Sequence, residues 1–546
     1  MFGRITPVFE NRFPQRRGLL SSAAVAVAAV WGLAAAAPAQ AQIAGLSDIV
    51  QFTQRAPAVS EARTLGRAGT GRAGGADATA LYSNPAGLAW METSAASGGL
   101  AVVSTEEEAT FDGGDPISEE AGDYGSHFSL AYTFPTTRGS LVLAGAYNRV
   151  NAFTREFAFE GGSTEQSITR QTFLPFEDEY TIDGEFIEWS GSIYPQIAYE
   201  GGAIEFFPAT DELPAGFEPA VLSGTSVEQV GSVGSEGHLN EASFGAGIEA
   251  APDVMVGLSA NVSFGRYSFR NAYSEKDPVL PEGVDEYTVI RDGMEFRGLD
   301  EVRLEEHFTS DLSGGNLRGG VSAEVAPGIR FGFTAETPTF YQVQETFTEA
   351  EITTFFDDGR QLSYGGESGD VGTVDNEYQI RTPWRFGAGT QANLKSLTDG
   401  VADLSLSADV EFVDWSQLER TSDALDLSED QRSNENYEAV FNTSLGAEYR
   451  FSGVALRAGF AYRPDPRALG EDAPADPETT LPERDRLFYS LGAGFNVSER
   501  FRLDVGWMQE RFEDEFAIFP YGTDLAPAAD EEVSRTRFLV GVTYSL

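Results

Sequence analysis

The chain has 546 residues, a formal net charge of −48 and no cysteine. A disulfide framework and a thiolate metal site are therefore excluded, and so is non-specific nucleic-acid binding, which needs basic patches. Acidity on this scale, with Lys276 and Lys395 as the only lysines, reads as adaptation to a saline medium in which charges are strongly screened.

Residues 1–41 read as an export leader. Arg4, Arg12, Arg16 and Arg17 form a positive start, Leu19 to Ala37 is apolar, and Ala39-Gln40-Ala41 is a small-residue cleavage site that predicts a mature chain beginning at Gln42. Residues 42–96 follow as a segment dense in glycine and alanine. Gly66, Gly69, Gly71 and Gly74 fall too close together for a stable helix and too bare for a packed strand. This composition suits a backbone threaded through a confined space. Asn84-Pro85 adds an extended residue followed by a turn.

From residue 97 to 546 the pattern changes to alternation with period two. It defines fourteen strand candidates, from Ser97–Phe111 to Arg535–Leu546. Tight turns such as Pro327-Gly328 and Ser452-Gly453 alternate with long acidic stretches, notably 158–240 and 272–315. One rim of short turns and one of long loops is the pattern of a transmembrane barrel. Parity agrees. Phe501, Leu503, Val505 and Trp507 share one face while Arg502, Asp504 and Gly506 share the other. Ionised groups on the second face suit a polar lumen, and the apolar face meets lipid. The fold class expected is all-β: a 14-stranded antiparallel transmembrane β-barrel, multi-pass in a bacterial outer membrane, with the 42–96 segment as a hatch inside the lumen.

The stretch Ala76-Asp-Ala-Thr-Ala-Leu-Tyr-Ser-Asn-Pro-Ala-Gly-Leu-Ala89, lying between leader and first strand, resembles the FadL/TodX family of outer-membrane transporters. Thr382-Pro-Trp-Arg-Phe-Gly-Ala-Gly389 and Leu456-Arg-Ala-Gly-Phe-Ala-Tyr-Arg-Pro-Asp-Pro466 are similar to family sequence too. The resemblance implies a hatch motif at Asn84, Pro85 and Ala86. It implies passive transport of long-chain fatty acids or hydrocarbons, with lateral release into the membrane through an inward kink of the third strand. PorV-like scaffolds for protein secretion share the hatch motif and form the alternative.

No catalytic constellation, metal cluster or cofactor motif is found, so an enzyme is not expected. The partners expected are outer-membrane lipid and a hydrophobic small molecule such as a fatty acid or hydrocarbon, with the chain acting as a monomer. Parity in 378–394 places Tyr378, Ile380, Thr382, Trp384 and Phe386 outward, which turns Arg381 and Arg385 inward as candidate head-group contacts. Pro383 is expected to break the ladder there. The alternative for both arginines is pairing with Asp409 and Glu411. In 140–153 the apolar parity switches after Leu141, Leu143 and Tyr147 to Val150 and Ala152. A bulge at Tyr147, Asn148 and Arg149 would return both halves to lipid, and it is the candidate for the lateral kink.

Overall fold

The structure, a computed structural model, describes residues 49–546 apart from 51–52, 58–60, 113, 164–165, 177–178, 184–185, 191, 210–214, 292, 367–373, 398–402, 423–436, 468–483 and 519–526. The expected leader, residues 1–41, and the beginning of the hatch lie outside the described residues.

Fourteen antiparallel strands close into a barrel. The first, Ala95–Phe111, pairs with the second, Ile117–Thr133, and with the fourteenth, Ala528–Ser545. Four strands are interrupted. The third runs as Leu141–Ala152 and Arg155–Ser163, the seventh as Ile329–Glu336 and Phe340–Phe356, the eighth as Val374–Arg381 and Arg385–Asn393, and the ninth as Asp403–Asp414 and Glu419–Thr421. The fourth to sixth strands, Ser226–Ala251, Val254–Val279 and Leu299–Ala326, are the longest. They extend well into the stretches read from sequence as loops.

Leu100 is 71% exposed, Leu258 58% and Leu491 57%, and comparable apolar side chains ring the whole wall. A water-soluble surface does not carry so large a continuous apolar area. Lipid covers it. Aromatic pairs such as Tyr132–Phe134, Tyr449–Phe451 and Phe501–Tyr544 stand at the short-turn rim, as interfacial side chains do.

Residues 61–91 lie inside as a plug of short helical turns, and the wall makes room for them with glycine. A Cβ on Gly320 would stand 1.9 Å from Asn84 Oδ1, and one on Gly257 2.2 Å from the Pro85 carbonyl carbon. One on Gly332 would stand 1.8 Å from the Arg72 carbonyl oxygen, and one on Gly459 2.5 Å from Ala68 N. Any side chain at these wall positions would exclude the plug backbone.

Above the lipid-facing band the long strands and the connection 163–225 build a second core. Helix Ile193–Glu200, with Ser192 accepting from Tyr194 N at 3.3 Å, buries Ile193, Tyr194 and Ile197 against Phe157, Phe159, Tyr273, Leu304 and Ile352 of the strands. Each such side chain removed from water contributes about 1.5–3 kcal/mol, so this cap is a packed structure. Glu275 fastens it: its carboxylate accepts from Ser167 Oγ at 2.6 Å, Ile168 N at 2.8 Å, Tyr273 OH at 2.9 Å and Gln229 Nε2 at 3.1 Å.

Candidate functional site

Asn84 is fully buried and joins plug to wall. Its Nδ2 donates to Arg72 O at 2.6 Å within the plug and to Val321 O at 3.1 Å on the sixth strand. Its Oδ1 accepts from Ala86 N at 3.1 Å, capping the 3-10 turn Pro85–Trp90, in which Pro85 takes the first position where no donor is needed. Pro85 and Ala86 are buried at the same wall position.

Ion pairs hold the plug elsewhere. Arg55 pairs with Glu336 at 2.8 Å and Glu241 at 3.4 Å, Arg63 with Glu448 at 3.6 Å, and Arg72 with Glu411. Asp409 accepts from Gly71 N at 2.9 Å and Arg72 N at 3.1 Å. Each wall carboxylate in an ion pair also keeps an arginine of the wall. Arg318 serves Glu336 and Glu241, Arg385 serves Glu411, and Arg457 serves Glu448.

The two candidate head-group arginines separate. Arg385 faces inward, 3.5 Å from Glu411, and donates to Thr53 O of the plug at 3.0 Å. Arg381 does not face inward: it is half exposed on the outer wall and pairs with Glu419. Tyr378, Ile380 and Thr382, expected outward, are buried inside, whereas Trp384 and Phe386 point to lipid as expected. The cause is the break at Pro383. The strand leaves its ladder over 382–384 and re-enters it with inverted parity, opposite a matching break at Thr337–Thr339 on the seventh strand. Across the two breaks Thr339 N donates to Thr382 Oγ1 at 2.9 Å, and Thr382 N to Thr339 O at 3.1 Å.

The third strand contains a bulge. Its register against the fourth shifts between Arg149 and Asn151, so the extra residue is Val150, just past the expected Tyr147-Asn148-Arg149. The bulge does not return Val150 and Ala152 to lipid. Both are buried inside, because the strand turns into the lumen at this point. Its ladder to the second strand ends at Phe128↔Tyr147, while the second strand continues to Ile117 on the first strand alone. Among the described residues no strand pairing joins 117–127 to the third strand.

A narrow pocket with a cavity volume of about 30 Å³ lies against this departure. Val50 and Gln54 of the plug contribute to its wall, as do Asn151, Ala152 and Phe153 of the turned third strand. Arg155, Arg467, Arg484, Arg486 and Arg535 line it, with Asp465 as the one acid among the lining residues. Their counter-ions stand behind. Arg155 pairs with Glu107 at 2.8 Å and with Glu531, Arg484 with Asp514, and Arg486 with Glu510. Arg486 Nη1 also donates to Gln54 Oε1 at 2.8 Å. Phe153, Tyr267, Tyr437 and Phe512 supply apolar surface. The chamber therefore presents aromatic faces together with a guanidinium lining, a match for an amphipathic anion. Sequence reasoning missed these arginines, which come from four distant segments. The one available signal was the pair Arg535 and Arg537 on the polar face of the last strand.

Among the described residues no group of His, Asp and Glu is arranged to hold a metal ion. A plugged barrel with an apolar outer wall has the architecture of a β-barrel of a bacterial outer membrane. Residues 345–519, about a third of the chain, match the model of the outer membrane protein transport protein family (OMPP1/FadL/TodX). Among solved structures, the Pseudomonas putida toluene transporter TodX is 12% identical, with a TM-score of 0.49 and coverage of 89% of this chain and 98% of that one. A Pseudomonas aeruginosa FadL homologue is 13% identical, with a TM-score of 0.48 and coverage of 90% and 99%. The Ralstonia pickettii toluene transporter TbuX is 14% identical, with a TM-score of 0.45 and coverage of 89% and 98%. At these scores the fold rests on the strand register of this chain itself. No curated protein sequence matches it.

Proposed function

We propose that this barrel carries amphipathic anions with a hydrophobic tail, of which long-chain fatty acids are the type. They pass from the outer surface into the arginine-lined chamber and then sideways into the membrane, without chemistry or an energy source. The observation that carries this reading is the chamber. Five arginines face it beside aromatic side chains, each already beside a carboxylate, so an anionic head group would meet guanidinium donors next to apolar surface there. The Tyr147–Arg149 region supports a sideways exit, since the chamber abuts the place where the ladder between the second and third strands stops. Asn84, Pro85 and Ala86 seat the hatch below, and Arg385 serves as a plug anchor. A full girdle of lipid-facing side chains supports a single copy surrounded by lipid.

The test is the native ligand, extracted from purified protein and identified by mass spectrometry. An amphipathic anion is expected, and Arg486→Gln should reduce its retention. Recovery of stoichiometric secreted protein with no small molecule would favour a scaffold and refute transport. Bulky substitutions at Ala144 and Ala146 should abolish uptake while leaving assembly intact, and unchanged uptake would refute the lateral route.

A further inference from the structure

Where the ladder between the second and third strands stops, the side chain of Arg149 crosses the gap. Arg149 has the parity of the lipid face, yet its guanidinium turns toward the second strand. There its Nη1 meets both the Asp123 carboxylate and the Tyr124 carbonyl oxygen. The side chain lies over Gly125, where an added Cβ would come within 3.4 Å of Arg149 Cδ. Both partners are mostly withdrawn from solvent, at 18% and 20% side-chain exposure, beside Tyr124, which is 76% exposed on the outer wall. Arg149 Nε is buried with no hydrogen-bond acceptor, so the guanidinium retains an unused donor.

We propose that the Arg149–Asp123 pair is a charge latch across the lateral gap, which passes anionic amphiphiles and holds back neutral hydrocarbons. Anything leaving sideways must part the two strands at this pair. A neutral molecule that parts them strands a cation and an anion at the lipid boundary, where neither finds water. A carboxylate or phosphate head group takes Asp123's place on the guanidinium, using the idle Nε–H for a two-point contact, so Arg149 is never unpaired. Arg149 thus acts as a specificity-determining residue rather than as a passive strut. This inference rests on the transport reading above and adds a selection step to it.

The test compares uptake of dodecanoate and dodecane by cells carrying the barrel as their only such transporter, normalised to heat-modifiable folded protein. The parent should favour dodecanoate. Arg149→Gln should raise the dodecane-to-dodecanoate ratio about tenfold, because the cation is gone and so is the anion's replacement partner. Arg149→Lys should keep most of the preference, and Asp123→Asn should pass dodecanoate at least as fast as the parent without admitting dodecane. A ratio unchanged in Arg149→Gln, or both compounds altered in proportion, overturns the latch and leaves transport standing. Uptake of neither compound by the parent overturns the transport reading, and the latch with it.

Discussion

Replacing Asn84 by alanine should release the plug while sparing the barrel. The side chain makes three hydrogen bonds in a fully buried position: Nδ2 to Arg72 O, Nδ2 to Val321 O, and Ala86 N to Oδ1. Only the Val321 bond crosses to the wall directly. The other two hold the turn that brings Pro85 to the wall. At a net 0.5–1.5 kcal/mol each, the loss is about 2–4 kcal/mol, which raises the undocked fraction about 30- to 700-fold. The chain contains no cysteine, so a single Ala80→Cys at a fully buried plug position reports undocking through its rate of thiol labelling. That rate should rise by the stated factor in the Asn84→Ala background. Asn84→Asp keeps the cap oxygen but loses both donated bonds, and should fall between the two. A labelling rate in Asn84→Ala within about threefold of the parent, under 1 kcal/mol, would refute the assignment of Asn84 as the plug's seat.

Other substitutions probe the remaining contacts. Gly320→Val places carbon where Asn84 Oδ1 now sits, so the barrel should assemble with its plug unseated and give steady ionic conductance in a planar bilayer, where the parent stays closed. Glu275→Ala removes the carboxylate on which Ser167, Ile168, Tyr273 and Gln229 converge, a loss of about 3 kcal/mol or more. Proteolysis within 163–225 should accelerate while the heat-modifiable barrel persists. Asp311→Asn removes a well-aligned outer pair with Arg266, but both side chains are more than half exposed. Unfolding should therefore shift by less than about 1 kcal/mol.

The lipid-facing wall was legible in the sequence because a strand with one face in hydrocarbon and one in a polar lumen must alternate. Phe501, Leu503, Val505 and Trp507 alternate in the structure as they do in the sequence. Asn84-Pro85-Ala86 was legible as a motif, because an extended capping residue before proline is a local requirement. Parity beyond Pro383 was not legible. Where the eighth strand rejoins its ladder depends on the matching break at 337–339, a fact of the neighbouring strand and not of residues 378–394. The same holds for Val150, whose inward course is set by the fourth strand. The cap was hidden because its own strands are only four residues long, too short for a period to show, and its core partners belong to strands far away in sequence. The chamber's arginines converge from residues 155, 467, 484–486 and 535, and a convergence of that kind leaves no local trace.

The doubled ion pairs around the plug bear on how the molecule comes together. Glu241, Glu336, Glu411 and Glu448 each hold an arginine of the wall as well as one of the plug. A barrel closing around an empty lumen would already give each of these four acids a wall arginine, with Arg318 shared between Glu241 and Glu336, so its closure need not wait for the plug to fall into place. The arginines of the plug are differently placed, since among the described residues Arg55 and Arg72 have their carboxylate partners on the wall. Docking thus brings the plug's cations to carboxylates that already have wall partners, and Arg55 supplies the second positive charge that the Glu241–Glu336 pair lacks.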